Sequence, residues 1–241
     1  MTYCVGLLVD TGLVMLSDSR TNAGVDQINT FRKMATFQHA QDRVVVLLSA
    51  GNLAITQAVV NLLETPDDPG RPTRFLSAAN MFAAARVVGD ALRSIHARDG
   101  EDLREHGYDF NGTFILGGQI KGEEPRLFHI YSAGNFIESS IDTPYFQIGE
   151  SKYGKPIIDR VISRSSSLAQ AAKCALVSMD STIRSNLSVG PPLDLAIIKR
   201  DEFKLATHIS IDMDNDYFKM LRERWGFALQ EVFSELPNPD W

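Results

Sequence analysis

The sequence is poor in cysteine, and this shortage argues against two common ways of stabilising a domain. Among the 241 residues only Cys4 and Cys174 are cysteines, and they form no CxxC spacing. We therefore expect neither a disulfide framework nor a structural zinc site, and no metal or other cofactor. A chain of this length can bury a large apolar core without such crosslinks.

Long apolar segments and basic clusters are also missing. No run approaches the roughly 18 apolar residues of a membrane span, and the opening MTYCVGLLVDTG lacks the regions of a signal peptide. The formal net charge is −6, from 24 basic and 30 acidic residues, and the basic residues form no long run. We therefore expect a cytoplasmic protein with no membrane and no nucleic-acid partner.

Strand patterns dominate the first fifty residues. An apolar run at 3–9 and a second run at 13–18 flank Asp10-Thr11-Gly12, which is typical of a tight turn. Runs at 31–37 and 43–49 predict a second hairpin. Several residues in a row are apolar in these strands, which favours sheets covered on both faces. A loop is expected around 22–24.

Helix and strand patterns then alternate in blocks. Helices are predicted over 53–63 with Asn52 as its cap, 75–96, 152–163, 168–184 and 216–235, with a charged, exposed stretch at 97–108 and a loop at 66–72. Strands are predicted over 113–119, 126–132, 135–140, 193–199 and 205–211. Such blocks indicate an α+β fold with antiparallel sheets. We expect a single domain over 1–241, with two stacked sheets and helix layers outside them.

The last predicted helix carries an apolar stripe. Its members are spaced by three or four residues: Tyr217, Leu221, Trp225, Ala228 and Val232. We expect this face to pack in the core, while the charged side of the helix could meet a neighbouring subunit. The terminal Trp241 is either mobile or an interface anchor.

Thr2 is the first candidate for chemistry. Methionine aminopeptidases generally remove Met1 before a residue this small, which leaves an α-amine beside a hydroxyl on one residue. The hydroxyl can attack a carbonyl, and the amine, with an ordinary pKa of about 7.7–8.0, can take its proton. Many chains begin with Met-Thr and make no such use of it, so the assignment depends on neighbouring residues.

Asp18 and Lys33 are the candidate neighbours. Asp18 ends the second predicted strand and Lys33 lies near the start of the next hairpin, so that paired strands could bring both to Thr2. A lysine near the amine favours its neutral form by charge repulsion, and an aspartate holds the lysine charged and oriented. The alternative is an ordinary surface ion pair, which contributes little to stability.

These residues together resemble a known family. The pattern comprises Thr2-x-x-Val5-Gly6, the segment Ser17-Asp18-Ser19-Arg20, Lys33, and Ser49-Ala50-Gly51 before a helix. It resembles proteasome β-subunits, which have aspartate sixteen and lysine about thirty-two residues after the mature threonine. Here the offsets are sixteen and thirty-one. The opening segment and FRKM are most similar to Anbu, the bacterial ancestral β-subunit-like proteins, and HslV is a more distant relative.

The resemblance implies a fold, a mechanism and an assembly. The fold is the four-layer αββα sandwich of N-terminal-nucleophile hydrolases. Thr2 is the implied nucleophile, with its own amine as base, Asp18 and Lys33 in support, and the Gly51 N–H as oxyanion donor. The implied assembly is a homo-oligomeric ring or helical stack that cleaves unfolded peptides. An unfoldase partner is not identified by the sequence.

Two segments depart from the proteasome pattern. Where that pattern has Gly-Ser, this chain has Gly149-Glu150-Ser151, so that the serine is replaced by Glu150 or shifted to Ser151. The later Asp-x-x-Ser segment is replaced by 185–190, where Ser185 and Ser188 could supply hydroxyls. Asp180 or Asp194 could supply the carboxylate; alternatively, 185–192 is only a loop that ends a helix.

Three functions remain open from the sequence. The leading hypothesis is a threonine peptidase subunit acting through Thr2. A second is an assembly-forming scaffold with weak or lost catalysis, which the departures at Glu150 and Ser185, or a retained Met1, would explain. The third is an N-terminal-nucleophile amidohydrolase acting on small amides.

Overall fold

The computed structural model describes residues 1–22, 28–66 and 72–241, so the predicted loops at 22–24 and 66–72 fall mostly outside the described residues. Over these ranges the chain forms α-helices and antiparallel strands. In chain order they are β1 (Tyr3–Val9), β2 (Gly12–Asp18), β3 (Arg20–Asn22), β4 (Ile28–Thr30), β5 (Met34–His39), β6 (Arg43–Gly51), α1 (Leu53–Glu64), α2 (Met81–Glu105), β7 (Gly112–Ile120), β8 (Arg126–Ile130), β9 (Phe136–Glu138), β10 (Tyr145–Gly149), α3 (Ser151–Val161), α4 (Leu168–Ser185), β11 (Leu193–Lys199), β12 (Leu205–Ile211) and α5 (Asp216–Glu235).

The described strands form two large antiparallel sheets and one small ribbon. The first sheet has the order β10-β1-β2-β11-β12, the second has the order β5-β6-β7-β8-β9, and β3 pairs with β4. The predicted N-terminal hairpin is the centre of the first sheet: Cys4 pairs with Ser17 and Val9 with Gly12 around the turn. On either side of this hairpin, β10 pairs with β1 and β11 pairs with β2.

The two sheets pack face to face through a shared apolar cluster. Cys4 and Met15 of the first sheet lie in one buried cluster with Val46 and Ile115 of the second. Gly117 lets the sheets approach closely, because a Cβ there would lie 2.8 Å from the Sδ atom of Met15. This packing explains the continuous apolar runs of β1 and β2, since both faces of these strands are covered.

Helices cover the outer faces of both sheets. Helices α1 and α2 share an apolar cluster with the second sheet, and α3 and α4 share one with the first, which also includes Phe218 and Leu221 of α5. Of the helices in the described ranges, none has the length and apolarity needed to cross a membrane. Within the same ranges, no group of three or more potential metal-ligating side chains comes together.

The second helix differs from its predicted bounds at both ends. It begins at Met81, because the side chain of Asn80 caps it by accepting the N–H of Ala83, and it continues to Glu105. The predicted end of the helix at 96 is therefore wrong, whereas the prediction that the charged stretch 97–108 is exposed is confirmed for most of its residues. The earlier start was predicted from an apolar spacing of Leu76, Ala79, Ala83 and Val87, and this spacing is misleading, since Ala79 lies before the helix and is exposed.

Several short strands were not predicted. The ribbon of β3 and β4 and the strand β10 have no counterpart in the sequence prediction, and β5 begins at Met34 rather than at residue 31. By contrast, the bounds of α5 agree with the predicted 216–235. Its predicted core face is wrong over most of its length, since Val232 is 58% exposed and Tyr217 48% exposed.

Candidate active site

A buried ion pair joins the two candidate support residues. Nζ of Lys33 lies 2.7 Å from Oδ1 of Asp18, and their side chains are 6% and 0% exposed. Asp18 is the last residue of β2, and Lys33 immediately precedes β5, so that the pair bridges the two stacked sheets. The alternative of a loose surface pair is thereby excluded.

Backbone donors complete the surroundings of the Asp18 carboxylate. Its Oδ1 also accepts the N–H of Tyr3 at 3.0 Å, and its Oδ2 accepts the N–H of Gly190 at 3.3 Å. Burial raises the pKa of the Asp18 carboxyl above its ordinary value, while the Lys33 ammonium and these N–H donors oppose that rise. The Lys33 ammonium and the peptide bond between Thr2 and Tyr3 thus meet at one oxygen atom.

Lys33 is held by more than its ion pair. Its ammonium donates a second hydrogen bond, of 2.6 Å, to the carbonyl of Arg20. Its own carbonyl accepts the N–H of Ser49 at 2.9 Å, which ties it to β6. An ammonium has three donors, so one remains for a group outside these contacts.

Thr2 lies at the open end of β1 against the end of β10. Its carbonyl accepts the N–H of Glu150 at 2.7 Å, and Thr2 itself is 9% exposed. Gly149 has φ +82°, and a Cβ there would lie only 1.9 Å from the Thr2 carbonyl oxygen. Only glycine therefore fits at this close approach. Met1, in contrast, is 63% exposed.

Gly51 ends β6, two residues beyond the Ser49 contact with Lys33. It has φ +115°, and a Cβ there would lie 2.5 Å from the carbonyl oxygen of Asn111. The next residue, Asn52, donates its N–H to the same carbonyl and caps α1. A strand, a glycine with positive φ and a capped helix follow one another here, and together they hold the backbone of Gly51 in a defined orientation.

The candidate serines occupy three different surroundings. Ser151 is the first residue of α3 and is partly buried; its carbonyl accepts a 3.4 Å hydrogen bond from Gln147. Ser185 is exposed at the end of α4, and the partly buried Ser188 donates its N–H to the Asn186 side chain. The loop after α4 reaches the site through the backbone of Gly190, which was not among the predicted site residues.

The two candidate carboxylates are engaged elsewhere. Asp180 is 1% exposed and accepts from Arg184 at 3.2 Å and from Arg222 at 2.5 Å, which links α4 to α5. Asp194 is buried and accepts from Arg32 at 2.8 Å. Its Oδ2 has no hydrogen-bond partner among the described residues. Among the described hydrogen bonds, neither carboxylate contacts Thr2, so the sequence-based role near the amine has no support from these contacts.

An open pocket of about 620 Å³ lies beside Lys33 and Ser49. Its walls combine apolar side chains such as Met34 and Leu53 with polar ones such as Thr36. A pocket of this size can hold one or more side chains of an extended ligand next to the buried ion pair.

Sequence reasoning missed the backbone contributions to this site. Tyr3 and Gly190 act through their backbone N–H groups, and Arg20 acts through its backbone carbonyl. Every residue type has a backbone carbonyl, and every type except proline has a backbone N–H. No residue-type signal could therefore have identified them. Gly149 precedes the helix predicted at 152–163, but its close approach to Thr2 depends on β10, which no local pattern indicated.

Comparison with known proteins places this geometry in a family. No family model matches the chain. It is 24% identical over 212 residues to a protein named proteasome subunit beta 2 from Nitrosopumilus maritimus, which covers 86% of this chain and 90% of that protein. It is 21% identical over 213 residues to a proteasome subunit beta from Haloquadratum walsbyi.

Solved structures are more similar. Anbu (ancestral beta-subunit) from Yersinia bercovieri is 51% identical, with a TM-score of 0.91 and 99% of each chain covered. A Gly-1 mutant of Anbu from Hyphomicrobium sp. strain MC1 is 50% identical, with a TM-score of 0.91 over the whole of both chains. The helical assembly of the Anbu complex from Pseudomonas aeruginosa is 44% identical, with a TM-score of 0.91 over 98% of each. With this identity over its full length, the chain belongs to the Anbu family of proteasome β-subunit-like proteins.

Proposed function

We propose that this chain is a threonine-type peptidase subunit, and that it hydrolyses unfolded peptides through Thr2 after removal of Met1. The observation that carries the proposal is the buried Asp18–Lys33 pair, which meets the Thr2–Tyr3 peptide bond at one carboxylate oxygen. The proposal includes the αββα sandwich of N-terminal-nucleophile hydrolases and a cytoplasmic location.

Removal of Met1 comes first. Its side chain is 63% exposed, so an aminopeptidase can reach the residue before Thr2. The peptide bond to Thr2 is hydrolysed, and Thr2 gains a free α-amine. This amine then takes the hydroxyl proton of the same residue while the oxygen attacks the substrate carbonyl. Lys33, with one donor not used by Asp18 or Arg20, stabilises the negative charge that develops on the attacking oxygen.

Collapse of the tetrahedral intermediate completes acylation. The amine returns the proton to the leaving nitrogen, the peptide C–N bond breaks, and the acyl group remains as an ester on Thr2. Water, deprotonated by the same amine, then hydrolyses that ester. The Gly51 N–H is the proposed oxyanion donor, and loss of such a donor typically costs about 3 kcal/mol in the transition state. The pocket beside Lys33 receives a substrate side chain.

A buried ion pair favours catalysis over a purely structural role. Removing two charges from water is costly, and replacing such a pair with apolar residues is often neutral or stabilising. A scaffold would therefore gain little by keeping Asp18 and Lys33 buried. A nucleophile, in contrast, needs a fixed cation whose charge is not weakened by solvent.

The proposal is tested by trapping Thr2. Intact mass first measures the fraction of chains without Met1. A peptide epoxyketone should then add to those chains by forming a ring with the hydroxyl and amine of Thr2, which a peptide map locates. Thr2→Ala should form no adduct and hydrolyse no peptide, whereas Thr11→Ala, in the exposed turn after β1, should behave as the wild type. Absence of an adduct on Met1-free wild type contradicts the proposal.

A scaffold is the second candidate function, and the placement of the serines favours it. Ser185 is exposed, and no described hydrogen bond joins Ser151, Ser185 or Ser188 to Thr2. Without such a donor the amine could be poorly oriented. In either case we propose that the chain assembles with itself, as a ring or open helical stack, in line with the helical assembly of the Pseudomonas aeruginosa relative. Any unfoldase partner would act on that assembly.

A further inference from the structure

The apolar face of helix α5 packs against the core at the start of the helix and is exposed to solvent at its end. A single stripe runs along the helix with spacings of three and four residues: Phe218, Leu221, Trp225, Leu229 and Val232. Leu236, the C-cap residue, continues this spacing. Phe218 and Leu221 are buried against the chain's own core, and Trp225 is partly buried. The same stripe continues as Leu229, Val232 and Leu236, which are 52%, 58% and 60% exposed.

An unfilled groove lies beside the covered part of the helix. It has a volume of about 510 Å³ and is formed by the end of α3, the first half of α4, and α5. Apolar side chains dominate its walls, among them Ile157, Val161, Val177 and Trp225. Each chain therefore carries both an apolar groove and an apolar half-helix that its own fold leaves uncovered.

We propose that the half-helix 226–236 of one copy of this chain seats in the groove of a second copy, and the reverse. We call residues 226–236 the terminal half-helix. One two-fold rotation satisfies both surfaces of both copies, which is the arrangement of an isologous dimer. The proposal rests on the self-association proposed above and identifies the surface that forms it.

Charge is complementary between the two parts. From residue 226 to the C-terminus the ionisable side chains are Glu231, Glu235 and Asp240, with no lysine or arginine. The rim of the groove carries Lys173 and Arg224, both exposed, and no described ion pair involves either. An acidic half-helix therefore meets a basic rim, which favours this occupant over a basic or uncharged helix.

The size of the surface suits a dimer. The terminal half-helix is about 16 Å long at 1.5 Å per residue. A large aromatic side chain buries about 150–250 Å² when covered. With Phe233 at 77% exposure beside the stripe, the uncovered apolar surface on this side of α5 is on the order of 400 Å². Each copy also contributes the walls of its groove, which supply the rest of the ~800 Å² per partner of a typical stable interface.

The groove is also fixed in position. Arg222 of α5 is held by the buried Asp180 of α4, with Nε 2.5 Å from Oδ1. This contact fixes the angle at which α5 leaves the core and therefore the direction in which the terminal half-helix projects. A helix held in this way loses little further freedom when it binds.

Sedimentation velocity over a range of concentrations tests the proposal with Val232→Asp and a matched control, Ile141→Asp. Ile141 is 81% exposed and lies outside α5. We expect Val232→Asp to weaken association at least tenfold, and Ile141→Asp to leave association unchanged. Neither substitution places a charge inside the monomer, because both positions are exposed. A Val232→Asp protein that associates like the wild type overturns the proposed surface and leaves self-association itself intact.

Crosslinking supplies a second measurement that does not depend on weakening the fold. A chain with both Val161→Cys and Phe233→Cys should form disulfide-linked dimers on oxidation, whereas Ile141→Cys with Phe233→Cys should not. Equal crosslinking of the two variants, or a crosslink within one chain, overturns the proposal. A wild type that is monomeric at all concentrations overturns both this surface and the proposed assembly, while adduct formation at Thr2 tests the chemistry separately.

Discussion

Lys33 and Asp18 are joined by a 2.7 Å contact between Nζ and Oδ1, with almost no exposure of either side chain. The same oxygen accepts the N–H of Tyr3, the residue that follows Thr2. The position of the candidate nucleophile is thus coupled to a buried charge pair through one atom. Changes that disturb the pair should therefore alter both the stability of the fold and the chemistry at Thr2.

Removing the charge of Asp18 should be costly. In Asp18→Asn the Lys33 ammonium stays buried without its counter-charge, and breaking a buried pair in this way typically costs 3–5 kcal/mol. We expect the free energy of unfolding, measured by urea titration, to fall by about 3 kcal/mol or more, together with loss of peptide hydrolysis.

The matched control is Asp90→Asn. Asp90 pairs with Arg93 at 2.6 Å, but their side chains are 58% and 50% exposed. Surface pairs contribute about 0–1 kcal/mol, so this variant should differ little from the wild type. If both variants lose the same free energy of unfolding, the buried Asp18–Lys33 pair contributes no more to stability than an exposed pair does.

Gly149→Ala should disturb the backbone of Thr2. The added Cβ would lie 1.9 Å from the Thr2 carbonyl oxygen, at a φ of +82°. Backbone must move to relieve such a contact, and the hydrogen bond from Glu150 to Thr2 should be lost with it. We expect a lower melting temperature and slower formation of the epoxyketone adduct.

Gly122→Ala separates the effect of backbone angle from that of contact. Gly122 has φ +96°, but nothing lies within 4 Å of its added Cβ. It should lose only the roughly 1–2 kcal/mol of a left-handed conformation and keep the wild-type adduct rate. A Gly149→Ala protein that reacts as fast as Gly122→Ala would contradict the proposed role of this close approach.

His129 should make stability depend on pH on the acid side. Burial among apolar neighbours lowers the pKa of His129 below its ordinary value; its ring contacts Tyr131 and Phe146. Its Nε2 has no hydrogen-bond partner among the described residues. Because the unfolded chain takes up the proton first, stability is full above about pH 6.5. It should then fall as the pH drops towards the lowered pKa.

The measurement is the slope of unfolding free energy against pH between about 7 and 5. His129→Gln should flatten that slope relative to the wild type, whatever its effect on stability at neutral pH. His39→Gln, at the exposed last residue of β5, is the control and should keep the wild-type slope. An unchanged slope in His129→Gln would show that the histidine titrates alike in the folded and unfolded chains.

The sequence alone predicted the elements whose signals are local. The hairpin of β1 and β2 follows from two apolar runs around an Asp-Thr-Gly turn, and α5 follows from a helical period of apolar residues; the cap at Asn215 was seen only in the structure. The start of α2 was misjudged because Leu76 and Ala79 fit the helical period, although Asn80 is the residue that caps the helix. Short strands such as β10 depend on a neighbour for their hydrogen bonds, and no local pattern indicated them.

The candidate site divides in the same way. Sequence pattern identified Thr2, Asp18 and Lys33 as residue types with the right chemistry, and the family resemblance gave them roles. Only the tertiary structure decided that Asp18 and Lys33 form a buried pair. The burial of a charge depends on how the two sheets pack together, and their strands come from distant parts of the chain. The tertiary structure also decided that Asp180 binds Arg222 of α5, and that the apolar residues at the end of α5 remain exposed. An apolar stripe determines that a helix needs a partner, but only the surrounding fold determines whether the chain itself supplies one.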